Sequence, residues 1–153
     1  MKKSVVVIGG GNGSAISLRA LKKHTDVFDI SAVISVSDSG GSSGKLREEF
    51  HSLPTGDIMR AVLALSRYDY AILKKIFYEN RFTGVGKLTI HNVGNLFLVL
   101  AQQYGGDFIS GIRALSQAVE SVGYVYPATL DLTHLNVRLA NGAVVKTEGA
   151  IDV

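Results

Sequence analysis

A run of β-branched residues that ends abruptly in glycine constrains this fold more than any other feature of the sequence. Four such residues occupy Val5–Ile8, and glycine fills four of the five positions 9–13. Runs of this kind are typical of strands buried on both faces, as in parallel sheets. Helical spacing resumes at Ala15, with Ile16 and Ala20 on one side. The stretch predicts a strand, a glycine loop and a helix in succession.

The glycine loop is a candidate phosphate-binding site. A strand–loop–helix junction points backbone N–H groups and the positive end of the helix dipole at one spot. Glycine permits a positive φ and the close approach of a ligand oxygen. The residues concerned are Gly10, Gly11, Asn12 and Gly13. Their spacing matches neither the dinucleotide fingerprint nor the P-loop, so a tight turn without a ligand remains the alternative.

A second strand and a second polar loop follow. Residues 30–36 read as a strand parallel to the first, and Asp38 opens a loop rich in serine and glycine, residues 37–44. Ligands of open α/β sheets bind outside the carboxyl ends of the strands, where both loops lie. Asp38 suits a Mg²⁺-bound phosphate or a ribose hydroxyl. A flexible surface loop is the alternative.

Two further polar clusters precede predicted helices. Asp57 is either the N-cap of a helix that begins at Ile58 or a second metal or phosphate ligand, and Arg60 either contacts a phosphate or is exposed. Residues 91–95 begin an apolar helix, where Asn92 is either a cap or a ligand contact and His91 either meets a backbone carbonyl or a ligand. Gly94 is costly in a first turn, which favours close approach of a ligand.

The remaining chain predicts helices over residues 71–78 and 107–121 and a hairpin near the carboxyl end. Two alternating stretches, 135–139 and 143–147, flank the turn dipeptide Asn141-Gly142. Residues 150–153 look like the approach to another strand.

Composition bounds the class of protein. A chain of 153 residues, 46% hydrophobic and 19% charged, suits a single globular domain over residues 1–153. No apolar run is long enough to span a membrane, and the scattered basic residues do not favour nucleic-acid binding. The chain has no cysteine, which fits a cytoplasmic location.

The order of these motifs resembles the YvcK/CofD-like family. The matching segments are Gly-Gly-Gly-Asn-Gly at 9–13, the run from Ser37 to Arg47, Pro-Thr-Gly-Asp-Ile at 54–58 and His-Asn-Val-Gly-Asn-Leu at 91–96. The family includes bacterial gluconeogenesis factors, which bind UDP-sugars such as UDP-N-acetylglucosamine and support cell shape. It also includes the Mg²⁺-dependent 2-phospho-L-lactate transferases of coenzyme F420 synthesis. The resemblance implies a three-layer α/β/α Rossmann-like sandwich with a mainly parallel sheet.

The resemblance also implies a set of site residues. Asp38 and Asp57 match acidic positions that hold metal and substrate, and they are the catalytic and Mg²⁺-binding candidates. The nucleotide-binding candidates are Gly10, Gly11, Asn12, Gly13, Ser42, Ser43, Gly44, His91, Asn92 and Asn95.

The loss of one aspartate and the serine loop typical of the bacterial members favour a binding protein over an enzyme. Ser39 stands where the family usually has the second of two aspartates, and family members are longer than this chain. The leading hypothesis is a regulatory protein that binds a nucleotide sugar; the alternative is the phospholactate transferase, which acts on a nucleotide-activated donor and a deazaflavin. The shorter sheet has an open edge, which predicts a homodimer.

Overall fold

The structure is a computed structural model that describes residues 1–38 and 41–146. Its strands are β1 (Lys3–Gly9), β2 (Phe28–Ile34), β3 (Tyr124–Pro127), β4 (Asn136–Arg138) and β5 (Val144–Lys146). Its α-helices are α1 (Gly11–Leu21), α2 (Gly41–Phe50), α3 (Gly56–Leu65), α4 (Tyr70–Lys74), α5 (Val93–Gly105) and α6 (Phe108–Ala118). A π-helical turn, Lys75–Glu79, continues α4. Ser39 and the predicted approach to a strand at 150–153 lie outside the described residues.

The first strand and helix form as predicted, but the helix begins earlier. Helix α1 begins at Gly11 rather than near Ala15, so the turn is confined to Gly9 and Gly10. Gly10 is fully extended at the N-cap, and Gly11 has a φ of 61°. A left-handed φ at this point favours glycine.

Strands β1, β2 and β3 form a parallel sheet in that order. Val5 pairs with Ile30, and Ala32 pairs with Val125. The parallel arrangement of the first two strands is confirmed. Strand β3 has no separate prediction, because its four residues are too short to give a clear period-2 pattern.

The helices that contact this sheet, α1, α3 and α6, cover one of its faces over the described residues. That face carries buried or half-buried apolar side chains from all three strands: Val5, Val7, Ile30, Ala32, Ile34 and Val125. Helix α3 is central, since nearly all of its residues are buried. Helix α5 packs on α6, and α2 packs on α5. These contacts bring the amino ends of α2, α3 and α5 toward the carboxyl ends of β1 and β2.

The hairpin near the carboxyl end is confirmed. Strands β4 and β5 are antiparallel, with Val137 opposite Val145. Gly142 takes a φ of 85° in the turn, and its N–H donates to the carbonyl of Leu139. The α/β class and the mainly parallel sheet are confirmed as well. Among the described helices, none combines the length and the apolarity that a transmembrane span requires.

Candidate functional site

A cavity of about 230 Å³ opens beyond the carboxyl ends of β1 and β2. Its walls come from the loop after β2, the first turns of α2, α3 and α5, and the segment that follows α4. The lining residues are Asp38, Ser42, Ser43, Gly56, Asp57, Arg60, Tyr78, Arg81 and Asn95. The position is the one expected for ligand binding in an open α/β sheet.

Asp57 joins the cavity to the glycine loop. Its Oδ2 accepts a hydrogen bond from the backbone N–H of Gly11 at 2.7 Å. A Cβ on Gly10 would lie 2.8 Å from the same oxygen, so only glycine fits there without displacing the carboxylate. The oxygen that approaches the glycine loop belongs to Asp57, and the approach of a ligand oxygen stays a prediction.

The interpretation of Asp57 as an N-cap is wrong. Helix α3 begins at Gly56, so Thr55 occupies the N-cap position and Asp57 lies in the first turn. The Thr55 hydroxyl donates to Asn95 Oδ1 at 2.9 Å rather than capping its own helix. With the helix beginning at Gly56, the Asp57 carboxylate lies against Gly10 and Gly11.

Arg60 lies one turn further along α3 and is held on three sides. Its Nη1 is 3.6 Å from Asp57 Oδ1 and donates to Asn12 Oδ1 at 3.3 Å. The guanidinium carbon lies 4.6 Å from the centre of the Tyr78 ring, and Nη2 donates to the Tyr78 hydroxyl. The sequence left open whether Arg60 is simply exposed, and the structure excludes this because its side chain is only 13% exposed. Its buried Nε has no hydrogen-bond partner within the described part of the chain.

Tyr78 and Arg81 reach the cavity from a segment in which no motif marks them. Tyr78 belongs to the π-helical turn after α4, and Arg81 forms an isolated bridge with Asn92. Arg81 Nη1 donates to the carbonyl of Ile90 at 2.7 Å. The sequence predicts a loop from residue 81 onward, and a loop gives no periodicity from which to place side chains.

A buried polar network lies beneath the cavity. Ser42 Oγ is 2.9 Å from His91 Nδ1 and accepts from Asn95 Nδ2 at 2.9 Å. Asn92 is the N-cap of α5, and its Oδ1 accepts from the Asn95 N–H at 2.8 Å. Its amide nitrogen also donates to the carbonyl of Tyr78. The cap predicted for Asn92 is confirmed, whereas His91 bonds a hydroxyl rather than a backbone carbonyl.

Burial sets the charge of His91. The side chain is 2% exposed, and burial lowers its pKa below the ordinary 6.5. Glu49 opposes this effect, while Lys45 and Arg81 add to it. The imidazole is therefore neutral near pH 7 and serves the network as a hydrogen-bonding group.

Gly94 is explained by packing rather than by a ligand. A Cβ at this position would lie 1.7 Å from Met59 Sδ and 2.9 Å from the carbonyl oxygen of Phe77. Helix α5 thus approaches α3 so closely that only a hydrogen fits between them. The expectation of a ligand at Gly94 is wrong.

Arg47 fixes the backbone on the other side of the cavity. Its Nη1 donates to the carbonyl of Asp38 at 3.0 Å, and Nη2 donates to the carbonyl of Thr133 at 2.6 Å. Burial lowers the pKa of the guanidinium, and the nearby Asp38 charge partly offsets this. Arg47 thereby ties the end of β2 to the segment before the hairpin.

The predicted site residues thus divide into three groups. Asp38, Asp57, Ser42, Ser43 and Asn95 line the cavity. Gly10, Gly11 and Asn12 adjoin it through Asp57 and Arg60. The others lie outside its walls: His91 and Asn92 are buried beneath it, and Gly13 and Gly44 are in α1 and α2.

The two carboxylates that line the cavity, those of Asp38 and Asp57, are the candidate ligands of the predicted Mg²⁺. Over residues 1–38 and 41–146, no group of three or more acidic, histidine or cysteine side chains is placed to hold a metal ion. Mg²⁺ is commonly held by one or two carboxylates together with substrate phosphates and water. The donor set of Asp38 and Asp57 fits a metal that arrives with a phosphate, and it does not form a complete protein cage.

Comparison with known proteins finds one matching family model and several relatives of similar sequence. The family model described as 2-phospho-L-lactate transferase CofD matches residues 5–153. The gluconeogenesis factor of Listeria innocua is 38% identical over 150 residues, which cover 98% of this chain and 45% of that protein. The gluconeogenesis factor of Bacillus subtilis is 37% identical over 150 residues, covering 98% of this chain and 46% of that protein.

A solved structure resembles this chain both in fold and in sequence. The crystal structure of a Bacillus halodurans protein superposes with a TM-score of 0.89 at 36% identity, covering 99% of this chain and 47% of that one. The chain spans less than half the length of these relatives. With a family model matched over nearly its whole length and the predicted motifs gathered around one cavity, the chain belongs to the CofD/YvcK family.

Proposed function

We propose that this chain binds a nucleotide sugar resembling UDP-N-acetylglucosamine and acts as a regulatory protein of the gluconeogenesis-factor type, with a role in cell shape and cell-wall metabolism. The observation that carries the proposal is the cavity beyond β1 and β2, where two arginines face a ring of small polar groups. Arginine presents a planar fork of donors that matches phosphate oxygens. Arg60 lines this cavity, and its guanidinium carries a positive charge that can pair with a phosphate oxygen.

The size of the cavity suggests which part of the ligand it takes. Pockets that enclose whole small molecules run from about 300 to 1,000 Å³. A cavity of about 230 Å³ is smaller and suits a diphosphate or one sugar ring. We assign the diphosphate to it, because the two arginines and the hydroxyls of Ser42 and Ser43 are donors to phosphate oxygens. The nucleoside would extend beyond the cavity.

Asp57 sets a condition on this binding. Its carboxylate takes the Gly11 N–H and is close to Arg60, so it competes with a phosphate for both groups. The negative charges of the Asp57 carboxylate and a bound phosphate would repel each other unless a cation lay between them. Mg²⁺ held by Asp38 and Asp57 would neutralise the phosphates and remove the repulsion. We therefore expect Mg²⁺ to strengthen binding modestly.

Phospholactate transfer is the second candidate function. It is favoured by one observation, the presence of both Asp38 and Asp57 on the walls of the same cavity. Transfer from a nucleotide-activated donor needs charge neutralisation at the leaving phosphate, which two carboxylates and a metal supply. Against transfer, the sequence has serine at position 39, where the family pattern usually has a second aspartate.

Parallel calorimetric titrations with UDP-N-acetylglucosamine, GDP and NAD test the proposal, each with and without Mg²⁺. We expect saturable binding of the UDP-sugar, weaker binding of GDP and none of NAD. Tighter binding of NAD than of the UDP-sugar would overturn the assignment. Incubation with a guanylyl-activated phospholactate and a deazaflavin tests the transferase, and turnover that Asp57→Asn abolishes would replace the binding proposal.

A further inference from the structure

A groove of about 410 Å³ lies between β3 and α6, apart from the cavity at the ends of β1 and β2. One wall is the strand segment 123–126, and the other is a single ridge of the helix that continues just past its end. The ridge residues recur at the three- and four-residue spacing of one helix face: Ile109, Ile112, Arg113, Ser116, Gln117 and Glu120. The groove shares no lining residue with the candidate nucleotide site. Its volume falls within the range of about 300–1,000 Å³ typical of ligand pockets.

The strand wall is a backbone edge. Among the described residues, β3 pairs only with β2. The Ala128 N–H donates to the carbonyl of Ile34, and successive residues of a strand direct their backbone groups to opposite sides, so the N–H and C=O of Val125 point away from β2 and into the groove. Pro127 points the same way and has no N–H to donate, and proline in a sheet is typical of edge strands. The residues of β3 therefore suit an edge that offers one amide pair, at Val125.

The helix wall supplies an apolar lining and a positive charge. Ile112 is 2% exposed, and Ile109 beside it is half-buried. The Arg113 side chain is exposed and forms no salt bridge with any described residue. At the other end of the ridge, the Glu120 carboxylate accepts a hydrogen bond from the Tyr68 hydroxyl at 2.6 Å. Arg113 therefore offers its positive charge to a ligand, next to two aliphatic side chains.

We propose that this groove binds an extended peptide in which an aliphatic residue stands next to an acidic one. The peptide backbone pairs with the N–H and C=O of Val125, the mode by which an exposed sheet edge recognises an added strand. The aliphatic side chain packs on Ile109 and Ile112, and the carboxylate pairs with Arg113. A peptide fits better than a free small molecule because a backbone edge and a helix ridge face each other, so main-chain and side-chain groups of one segment are met together.

Selection from a random heptapeptide library displayed on phage, with the immobilised chain as bait, tests the proposal. The enriched peptides are expected to combine an aliphatic residue with a neighbouring aspartate or glutamate, and they are then labelled and titrated by fluorescence anisotropy. Arg113→Glu is expected to weaken their binding by at least about tenfold, because repulsion replaces a charge-assisted contact. The matched control is Arg138→Glu, which makes the same change of charge at an exposed residue of β4 outside the groove and should alter the affinity by less than about twofold.

N-methylation of the peptide separates strand addition from recognition of side chains alone. Adjacent amides of a strand point to opposite sides, so we expect a methyl group on one amide beside the aliphatic residue to abolish binding and on the next amide to be tolerated. Three results overturn the proposal. One is a library without enrichment over a surface that lacks the chain, which leaves the groove to a small molecule. Another is an equal effect of Arg113→Glu and Arg138→Glu. The third is tolerance of the methyl group at both amides.

Discussion

Replacing Gly10 with alanine tests the contact between the glycine loop and α3. The added Cβ would lie 2.8 Å from Asp57 Oδ2, so the carboxylate must leave the Gly11 N–H that it binds at 2.7 Å. The backbone of Gly10 is fully extended, with a φ of −158°, and alanine adopts this conformation without strain. The destabilising part of the effect therefore comes mainly from the collision with Asp57.

The magnitude follows from two opposing terms. Loss of a hydrogen bond to a charged group costs about 1.5–3 kcal/mol. Alanine restores about 0.4–1 kcal/mol by restricting the unfolded chain. Gly10→Ala should therefore lower the free energy of unfolding by about 1–2 kcal/mol, which is a shift of roughly 0.5–1 M in the urea midpoint at an m-value of about 2 kcal/mol/M.

Gly13 provides the matched control for urea unfolding followed by circular dichroism. A Cβ on Gly13 meets no atom within 4 Å, and the residue lies inside α1. Gly13→Ala should raise the free energy of unfolding by about 0.5–1 kcal/mol through its better helix propensity. If Gly10→Ala proves as stable as Gly13→Ala, Asp57 does not hold the glycine loop and the reasoning fails.

Three other predictions concern the packing, the buried network and the cavity. Gly94→Ala should lower the free energy of unfolding by about 1–3 kcal/mol because the new methyl group collides with Met59, and an unchanged melting temperature would contradict that packing. Burial lowers the pKa of His91, so the native chain binds its proton more weakly than the unfolded chain does. Stability should therefore be lost as the pH falls from above 6.5 through the folded-state pKa; His91→Gln should flatten this slope in pH-dependent urea titrations, and an equal slope would refute it. Asp38→Asn should weaken UDP-sugar binding by less than about threefold in calorimetry, whereas a loss of 100-fold would favour the metal-dependent enzyme.

The sequence predicts those parts of the fold that depend on local patterns. The Val5–Ile8 run, the parallel second strand and the Asn141-Gly142 hairpin are confirmed because each has a strong period or turn signal. The buried face of α1 is less well predicted. Ile16 is exposed and Leu18 is fully buried, because α1 packs on α3 and the sheet through the face that carries Ala15 and Leu18.

The candidate site depends on contacts that no local pattern contains. Asp57 is recognised as important, but its bond to Gly11 joins residues 46 positions apart. Arg60 stacks on Tyr78 across 18 positions, and neither residue belongs to a motif that predicts the pair. Such contacts arise from the way in which α3 and the π-helical turn pack together. They become visible only when the helices are placed in three dimensions.

Arg60 is the proposed phosphate contact of the nucleotide-sugar site. Arg19 offers a matched control, since its guanidinium lies 4.5 Å from the centre of the Tyr70 ring, much as Arg60 lies over Tyr78, but it does not line the cavity. The decisive measurement is calorimetric titration of UDP-N-acetylglucosamine into Arg60→Leu and Arg19→Leu. Loss of a charge-assisted contact predicts at least about tenfold weaker binding for Arg60→Leu and unchanged binding for Arg19→Leu. Equal affinities for the two variants would contradict the claim.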